Sequence, residues 1–295
     1  MRNSLSTWLE AARPFSLTAS FVPVLVGIAL AYSSGVAVSA WRAVVVVVGG
    51  VLLQVGTNMV NDAYDYWRAV DSEITPRASR VVIEGRLDPT RELRGAYVVF
   101  GVSLALAAVL AAAGTPLVLV PVAIGVVAGF GYTAPPLEYK YRGLGIPVVF
   151  VTMGPLMVWA AYLGVGGRGW WMPTLVALPV GFLVAAILHA NDLRDWEDDR
   201  QARIVTLTGC LGFIPAWWLY TFLLLAPYAA LSVLVGLHRL LPWTLAAWVT
   251  FPVAWRAIRL ARRPGRERLA VLDQKTAQLH LAFGLLLALS LGVAR

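Results

Sequence analysis

Nine apolar runs constrain this chain more than any other feature. They lie near residues 15–33, 40–61, 95–113, 116–134, 146–164, 171–190, 212–236, 241–258 and 277–293. A helix needs roughly 20 apolar residues to cross the hydrocarbon of a bilayer, and runs of this length read as membrane helices, with internal Pro and Gly marking kinks rather than breaks. The expected fold is an all-α integral membrane protein of one domain, 1–295, with about nine transmembrane helices around a central cavity opening to the cytoplasmic side. Composition agrees: 59% of residues are hydrophobic and only 14% charged, a balance foreign to soluble domains. The first run is interrupted by Pro23 and is too long for the apolar region of a cleavable signal, so it should remain as the first helix.

Charge orients the bundle. Nine spans put the amino terminus and the loops 62–94, 135–145, 191–211 and 256–276 on one side, with 20 of the 24 basic residues; the other side keeps only Arg42, Arg168, Arg239 and Arg295. Basic residues stay in the cytoplasm, which makes the first side cytoplasmic. All 16 acidic residues fall there too, although Asp and Glu contribute little to orientation, so chemistry on that face is the better reason for them. The net charge of +8 comes with no nucleic-acid motif, and anionic lipid head groups are the natural partner of the basic run from Arg256 to Arg268. The single cysteine, Cys210, excludes an intrachain disulfide and a cysteine-based metal site.

The acids gather in two clusters at helix ends: Asn58, Asn61, Asp62 and Asp65, with Asp71 beyond, and Asn191, Asp192, Asp195, Asp198 and Asp199. Ionisable groups at membrane depth are costly and mark function. An apolar helix ending in an Asn/Asp cluster, a polar loop and a further apolar helix occur at 45–95 and again at 176–215. Such a duplication turns the clusters toward each other across a central cavity. Asn58, Asp62 and Asp65 share one helical face, as do Asp192, Asp195 and Asp199, while Asp71 and Asp198 are out of phase. Facing carboxylates suit Mg²⁺ ions bridging a diphosphate, which supplies the remaining oxygens. The expected metal ligands are therefore Asp62, Asp65, Asp192, Asp195 and Asp199. Between the clusters lies the segment Gly131 to Gly143, where Lys140 and Arg142 are candidates for the phosphate oxygens left free by metal. Tyr132, ending its helix, is the aromatic expected at the cavity. Gln54 and His189, lone polar groups near the motifs, are expected to be satisfied by neighbouring helices.

These residues resemble a family. Asn-Asp-x-x-Asp at 61–65, Asp-x-x-Asp-x-x-x-Asp at 192–199 and the Tyr and Lys/Arg loop between them look like UbiA-type intramembrane prenyltransferases over nearly the whole chain. Within that superfamily the chain is most similar to 1,4-dihydroxy-2-naphthoate polyprenyltransferases of menaquinone biosynthesis, through Ala12-Arg13-Pro14, Gly56-Thr57-Asn58, Tyr141-Arg142-Gly143-Leu144-Gly145, Gly154-Pro155, Asn191 to Asp199 and Thr276 to His280. It departs from that pattern at Asn191-Asp192, where Asn-Asn is usual, and at Arg203 to Thr206. The resemblance implies transfer of a polyprenyl group from a polyprenyl diphosphate to an aromatic acceptor, with two Mg²⁺ ions bridging the diphosphate, in a bacterial-type cell membrane with the site facing the cytoplasm. It implies catalytic roles for Asp62, Asp65, Asp195, Asp199 and Tyr132, and substrate contacts from Asn58, Asn61, Lys140, Arg142, Asn191, Arg194 and Arg80. For a naphthoate acceptor it implies attack at the carbon bearing the carboxylate, with loss of CO₂. Two alternatives stand beside it: a related enzyme with another aromatic acceptor or a terpene cyclisation, and a multi-span secondary transporter, which repeats and buried polar groups also fit.

Overall fold

The computed structural model describes residues 5–68, 81–201 and 205–293, and within them all regular secondary structure is helical, with no strand. The α-helices, in chain order, are α1 (Leu5–Ala11), α2 (Thr18–Ser33), α3 (Ala40–Trp67), α4 (Pro89–Ala112), α5 (Leu119–Gly131), α6 (Gly145–Val151), α7 (Met157–Gly164), α8 (Trp171–Arg194), α9 (Trp196–Gln201), α10 (Leu207–Leu211), α11 (Phe213–Gly236), α12 (Phe251–Leu260), α13 (Arg266–Leu269) and α14 (Leu272–Gly292).

Among the described residues seven helical segments are long and apolar enough to cross a membrane: Pro14–Ser33, Ala40–Trp67, Pro89–Ala112, Gly145–Gly164, Trp171–Arg194, Phe213–Gly236 and Arg266–Gly292. The chain is a multi-pass membrane protein. The other two expected spans are built differently. Residues 116–134 hold a shorter apolar helix, Pro116–Gly131, that starts as a 3-10 turn, and 241–258 begins as the 3-10 stretch Pro242–Thr250 before continuing as α12. Side chains such as Val98, Val102 and Val109 on α4 and Trp218 and Phe222 on α11 stand exposed on the outside of the bundle, as a lipid-facing surface should.

Two helices outrun their apolar residues on the side that carries the acids. The α3 helix continues through the polar cluster to Trp67, and α4 starts at Pro89, capped by the Asp88 carboxylate, which accepts from the Arg91 N–H at 3.1 Å. Pro at the first helical position and Asp at the cap are both favoured there. Hydropathy ends the apolar run near 61, but the helix persists because its polar side chains find partners at the site.

Two close approaches shape the interior. A Cβ on Gly154 would lie 2.7 Å from Gly181 Cα, so this pair lets the helix after the loop meet α8 backbone to backbone, the small-residue packing common in membranes. Between α6 and α7 the backbone widens into a π-turn, Thr152–Leu156, around Pro155. Such turns often fall at functional sites, and Thr152 and Met153 here line the central cavity. On the opposite wall a Cβ on Gly129 would meet Thr57 Oγ1 at 2.3 Å, so only glycine lets α5 lie this close to α3.

Candidate active site

Both polar clusters reach one cavity of about 270 Å³. From the last turns of α3 come Thr57, Asn58, Asn61 and Asp65; from the end of α8 and the start of α9 come Asn191, Asp192, Arg194, Asp195 and Asp199. Tyr132 and Lys140 join from the loop between α5 and α6. The two motifs, more than 120 residues apart in the chain, thus supply two walls of a single cavity.

On α3 the lining stripe differs from the expected one. Asn58, Asn61 and Asp65 line the cavity, whereas Asp62, 2% exposed, is ion-paired with Arg13 and is not among the lining residues. The physical reason is the segment preceding α2. Asn58 Nδ2 donates to Ala12 O at 3.0 Å and to Ser16 Oγ at 2.8 Å, and Gln54 Nε2 donates to Asn58 Oδ1 at 3.1 Å. That clamp lays Arg13 along the edge of the helix face, where it takes Asp62 and itself lines the cavity.

Asp65 is held from the opposite direction. Lys140 Nζ donates to its two oxygens at 2.8 and 2.6 Å and to Asn61 Oδ1 at 3.1 Å, while the Tyr141 hydroxyl donates to Asp65 Oδ1 at 2.5 Å. The loop can reach because it folds back on itself: the Lys140 N–H donates to Tyr132 O at 2.9 Å, Tyr139 donates through its hydroxyl to Ala128 O, and Glu138 and Gly143 take left-handed backbone at φ 45° and 69°. Burial and the neighbouring Asp65 charge push the Tyr141 phenol above its ordinary pKa, so it stays a donor. Lys140 also lies 5.8 Å from the Tyr132 ring centre, over its face.

The second motif supplies its own cation. Arg194 grips Asp195 with two parallel bonds of 2.8 and 2.9 Å and reaches Asp273, at the start of α14, at 2.5 Å. Asp198 turns toward Arg266 at 3.7 Å and is not among the lining residues, in keeping with its helical phase. His189 is fully buried and satisfied, its Nε2 at 2.8 Å from Ala216 O and its Nδ1 at 3.3 Å from Thr208 Oγ1.

Arg142 corrects an expectation. It is exposed, donates to Pro136 O at 2.8 Å and is not among the lining residues, because the 3-10 turn Tyr139–Arg142 points successive side chains in different directions and gives Lys140 the inward place. Arg80, Asp71 and Arg203 lie outside the described residues. Sequence reasoning missed Arg13, Tyr141 and Asp273. Arg13-Pro14 and Tyr141-Arg142 stood inside quoted motifs, but no spacing rule says that residue 13 will meet residue 62.

The donor chemistry fits Mg²⁺. Among the described residues no three acidic or histidine side chains converge tightly enough to hold an ion by themselves. Mg²⁺ needs no such cage, since it commonly takes one or two carboxylates, keeps waters and accepts substrate phosphate oxygens. Asp65, Asp192, Asp195 and Asp199 offer oxygen ligands around one cavity.

Toward the bilayer interior the cavity turns apolar. Leu53, Gly125, Thr152 and Met157 are shared with a second cavity of about 60 Å³, walled by residues such as Val46, Leu106, Leu110 and Val118.

Fold and site together define a multi-pass membrane protein built around a carboxylate-lined chamber. The chain belongs to the UbiA prenyltransferase family, whose profile matches residues 20–291, and is thus a prenyltransferase enzyme rather than a transporter. UbiA prenyltransferase domain-containing protein 1 of Homo sapiens is 32% identical over 288 residues, covering 96% of this chain and 82% of the human protein, and that of Gallus gallus is 33% identical over 291 residues, covering 96% and 84%. Among solved structures, a UbiA homologue from Archaeoglobus fulgidus bound to DMAPP and Mg²⁺ superposes with a TM-score of 0.67 at 15% identity over 95% of this chain and 99% of that one. A digeranylgeranylglyceryl phosphate synthase structure gives 0.70 at 16% identity over 99% and 100%. These two likenesses are of fold.

Proposed function

We propose that this enzyme catalyses Mg²⁺-dependent transfer of a polyprenyl group from a polyprenyl diphosphate to an aromatic acceptor, 1,4-dihydroxy-2-naphthoate first among the candidates. The observation that carries this reading is the convergence of both carboxylate clusters and their cations on one cavity that continues into an apolar chamber. Fold neighbours bound to DMAPP with Mg²⁺ and to GPP with Mg²⁺ support the choice of donor. In this reading all nine apolar segments cross the bilayer and the polar mouth faces the cytoplasm, the side of the basic loops.

Asp65, Asp192, Asp195 and Asp199 would hold Mg²⁺, with Asp62 beside them, and the bound ions would neutralise the charge that gathers on the departing diphosphate. Lys140 and Arg194 present fixed positive charge to the same oxygens, and charge developing on a leaving group is where preorganised cations contribute most. Asn58, Asn61 and Asn191 orient the head group. The bond between the allylic carbon and its oxygen breaks, and the electron pair leaves with diphosphate. The Tyr132 ring and the apolar walls shelter the allylic cation from water. A ring carbon of the acceptor supplies the electrons for the new C–C bond. On a dihydroxynaphthoate the attacked carbon loses CO₂, whose bonding pair restores the aromatic ring, and no base is needed.

The test is product formation by detergent-purified protein given a polyprenyl diphosphate, Mg²⁺ and a panel of aromatic acceptors, with a chelator control. A chelator-sensitive prenylated naphthoquinol supports the reading in full. Diphosphate release with another product keeps the donor and moves the acceptor, and no diphosphate release with any acceptor overturns it.

A further inference from the structure

Arg13 sits in backbone that an L residue rarely adopts, φ 53° and ψ 67°, directly before Pro14. Residues before proline favour extended backbone, and a left-handed non-glycine persists only where its surroundings over-determine it. Here they do. Asn58 bonds the residue before Arg13 and the side chain of Ser16 after it, and Ser16 returns two bonds to Arg13 O, from its N–H at 2.9 Å and its hydroxyl at 3.0 Å. Further out, Glu10 and Arg86 form two parallel bonds of 2.7 and 2.6 Å that tie α1 to the turn before α4. The segment is fastened on both sides of one arginine.

That arginine is aimed at the cavity. Its Nε and Nη2 are buried on the Asp62 side, yet the side chain keeps 22% exposure and lines the chamber beside Asn58, Asn61 and Asp65. A guanidinium has five N–H donors in a planar fork, enough to hold Asp62 and an incoming anion together.

We propose that Arg13 is a substrate-binding residue that takes an anionic oxygen group, either the diphosphate of the prenyl donor or the carboxylate of the acceptor. The proposal rests on the prenyl-transfer reading and names a cation of that site supplied by the segment before α2. Asp62 is then its counter-ion, holding the guanidinium in place for the substrate.

Removing Arg13 alone leaves Asp62 buried without its partner, and a carboxylate stripped of its partner inside a protein is strongly destabilising. The informative variant is Arg13→Gln combined with Asp62→Asn, which removes both charges of the buried pair, read against Asp62→Asn alone. Binding is measured by calorimetry in detergent with two separate probes, an unreactive prenyl thiolodiphosphate and 1,4-dihydroxy-2-naphthoate, alongside thermal stability. The expected result is a double variant with near-wild-type melting that binds one probe at least about tenfold more weakly than Asp62→Asn does, a loss of about 1.4 kcal/mol, and the other equally well. The weakened probe identifies which anion Arg13 holds. Equal affinities for both probes in the double variant and in Asp62→Asn overturn the proposal, as does a double variant that melts far below wild type, since Arg13 is then a structural cation. A wild-type protein that binds neither probe removes the donor and acceptor assignment and this proposal with it. One that binds both but makes no product leaves Arg13 standing and sinks only the proposed reaction.

Discussion

The two motifs do similar work with different wiring. On α8 the cation and the carboxylate are neighbours in sequence: Arg194 holds Asp195 and keeps a second carboxylate, Asp273, on the next helix over. On α3 no basic residue lies inside the cluster, and its carboxylates are matched by Arg13 from before α2 and by Lys140 from the loop after α5. The second motif is therefore largely self-contained, while the first exists only once three distant parts of the chain have assembled. A site split this way couples the integrity of the fold to the charge of one wall more than the other.

Removing a carboxylate from either wall tests that difference most sharply. Asp65→Ala and Asp195→Ala should each lower kcat by about 10³-fold, as loss of a preorganised electrostatic group does, measured as product formed at saturating Mg²⁺ and donor. Stability should separate them. Asp65→Ala leaves Lys140 only its neutral acceptor Asn61 and Tyr141 without its carboxylate and should cost about 2 kcal/mol, the scale of hydrogen bonds to a charged group, whereas Asp195→Ala leaves Arg194 its charged bond to Asp273 and should melt near wild type. Equal melting temperatures would break the comparison.

Lys140→Ala comes next. It removes the only cation bonded to Asp65 among the described residues and one of the positive charges proposed for the diphosphate, so kcat should fall about 10²-fold, the lower end of what one such donor supplies. Lys140→Arg should recover part of this, because charge is kept while the geometry of a point donor is not. A variant with unchanged kcat and a lowered melting temperature would reduce Lys140 to a structural partner of Asp65.

How much of this was legible in the sequence follows from the same contrast. The class of fold was written in runs of apolar residues, and the α8 stripe, Asp192, Asp195 and Asp199, could be read from spacing because its geometry is set within one helix and the turn after it. On α3 spacing places Asp62 on the face shared with Asn58 and Asp65, whereas the cavity is lined by Asn61, a residue expected there through the family resemblance. Both choices lie on the same broad face, and only the remote Arg13 decides which of the two turns away. Lys140 and Arg142 part for a related reason: spacing locates a basic loop, but which of the two points inward depends on a 3-10 turn with left-handed ends. The two composite segments, 116–134 and 241–258, were indistinguishable from plain helices because hydropathy reports where apolar residues are and not how the backbone winds through them.

Tyr141→Phe should have a milder effect. The ring and its contact with Arg68, 4.5 Å from the ring centre, survive, and only the hydroxyl bond to Asp65 is lost. With Lys140 still bonded to both oxygens of that carboxylate, kcat should fall about tenfold, equivalent to about 1.4 kcal/mol. A drop as large as that of Lys140→Ala would mean that the phenol acts on the substrate directly.

The smallest effect is expected where the wall ends. Arg142 is two residues from Lys140 and equally basic, so a site that worked by general positive potential would need both. The structure gives Arg142 an exposed guanidinium bonded to a backbone carbonyl of its own loop, where solvent and salt screen its charge from the chamber. Arg142→Ala should therefore change kcat and the KM for the diphosphate by less than about threefold, below roughly 0.7 kcal/mol. Asp198→Ala, turned toward Arg266, should do the same on the other wall. If instead Arg142→Ala matches Lys140→Ala, and its effect fades with added salt, the α3 wall works by diffuse field rather than by the fixed contacts that distinguish it from α8.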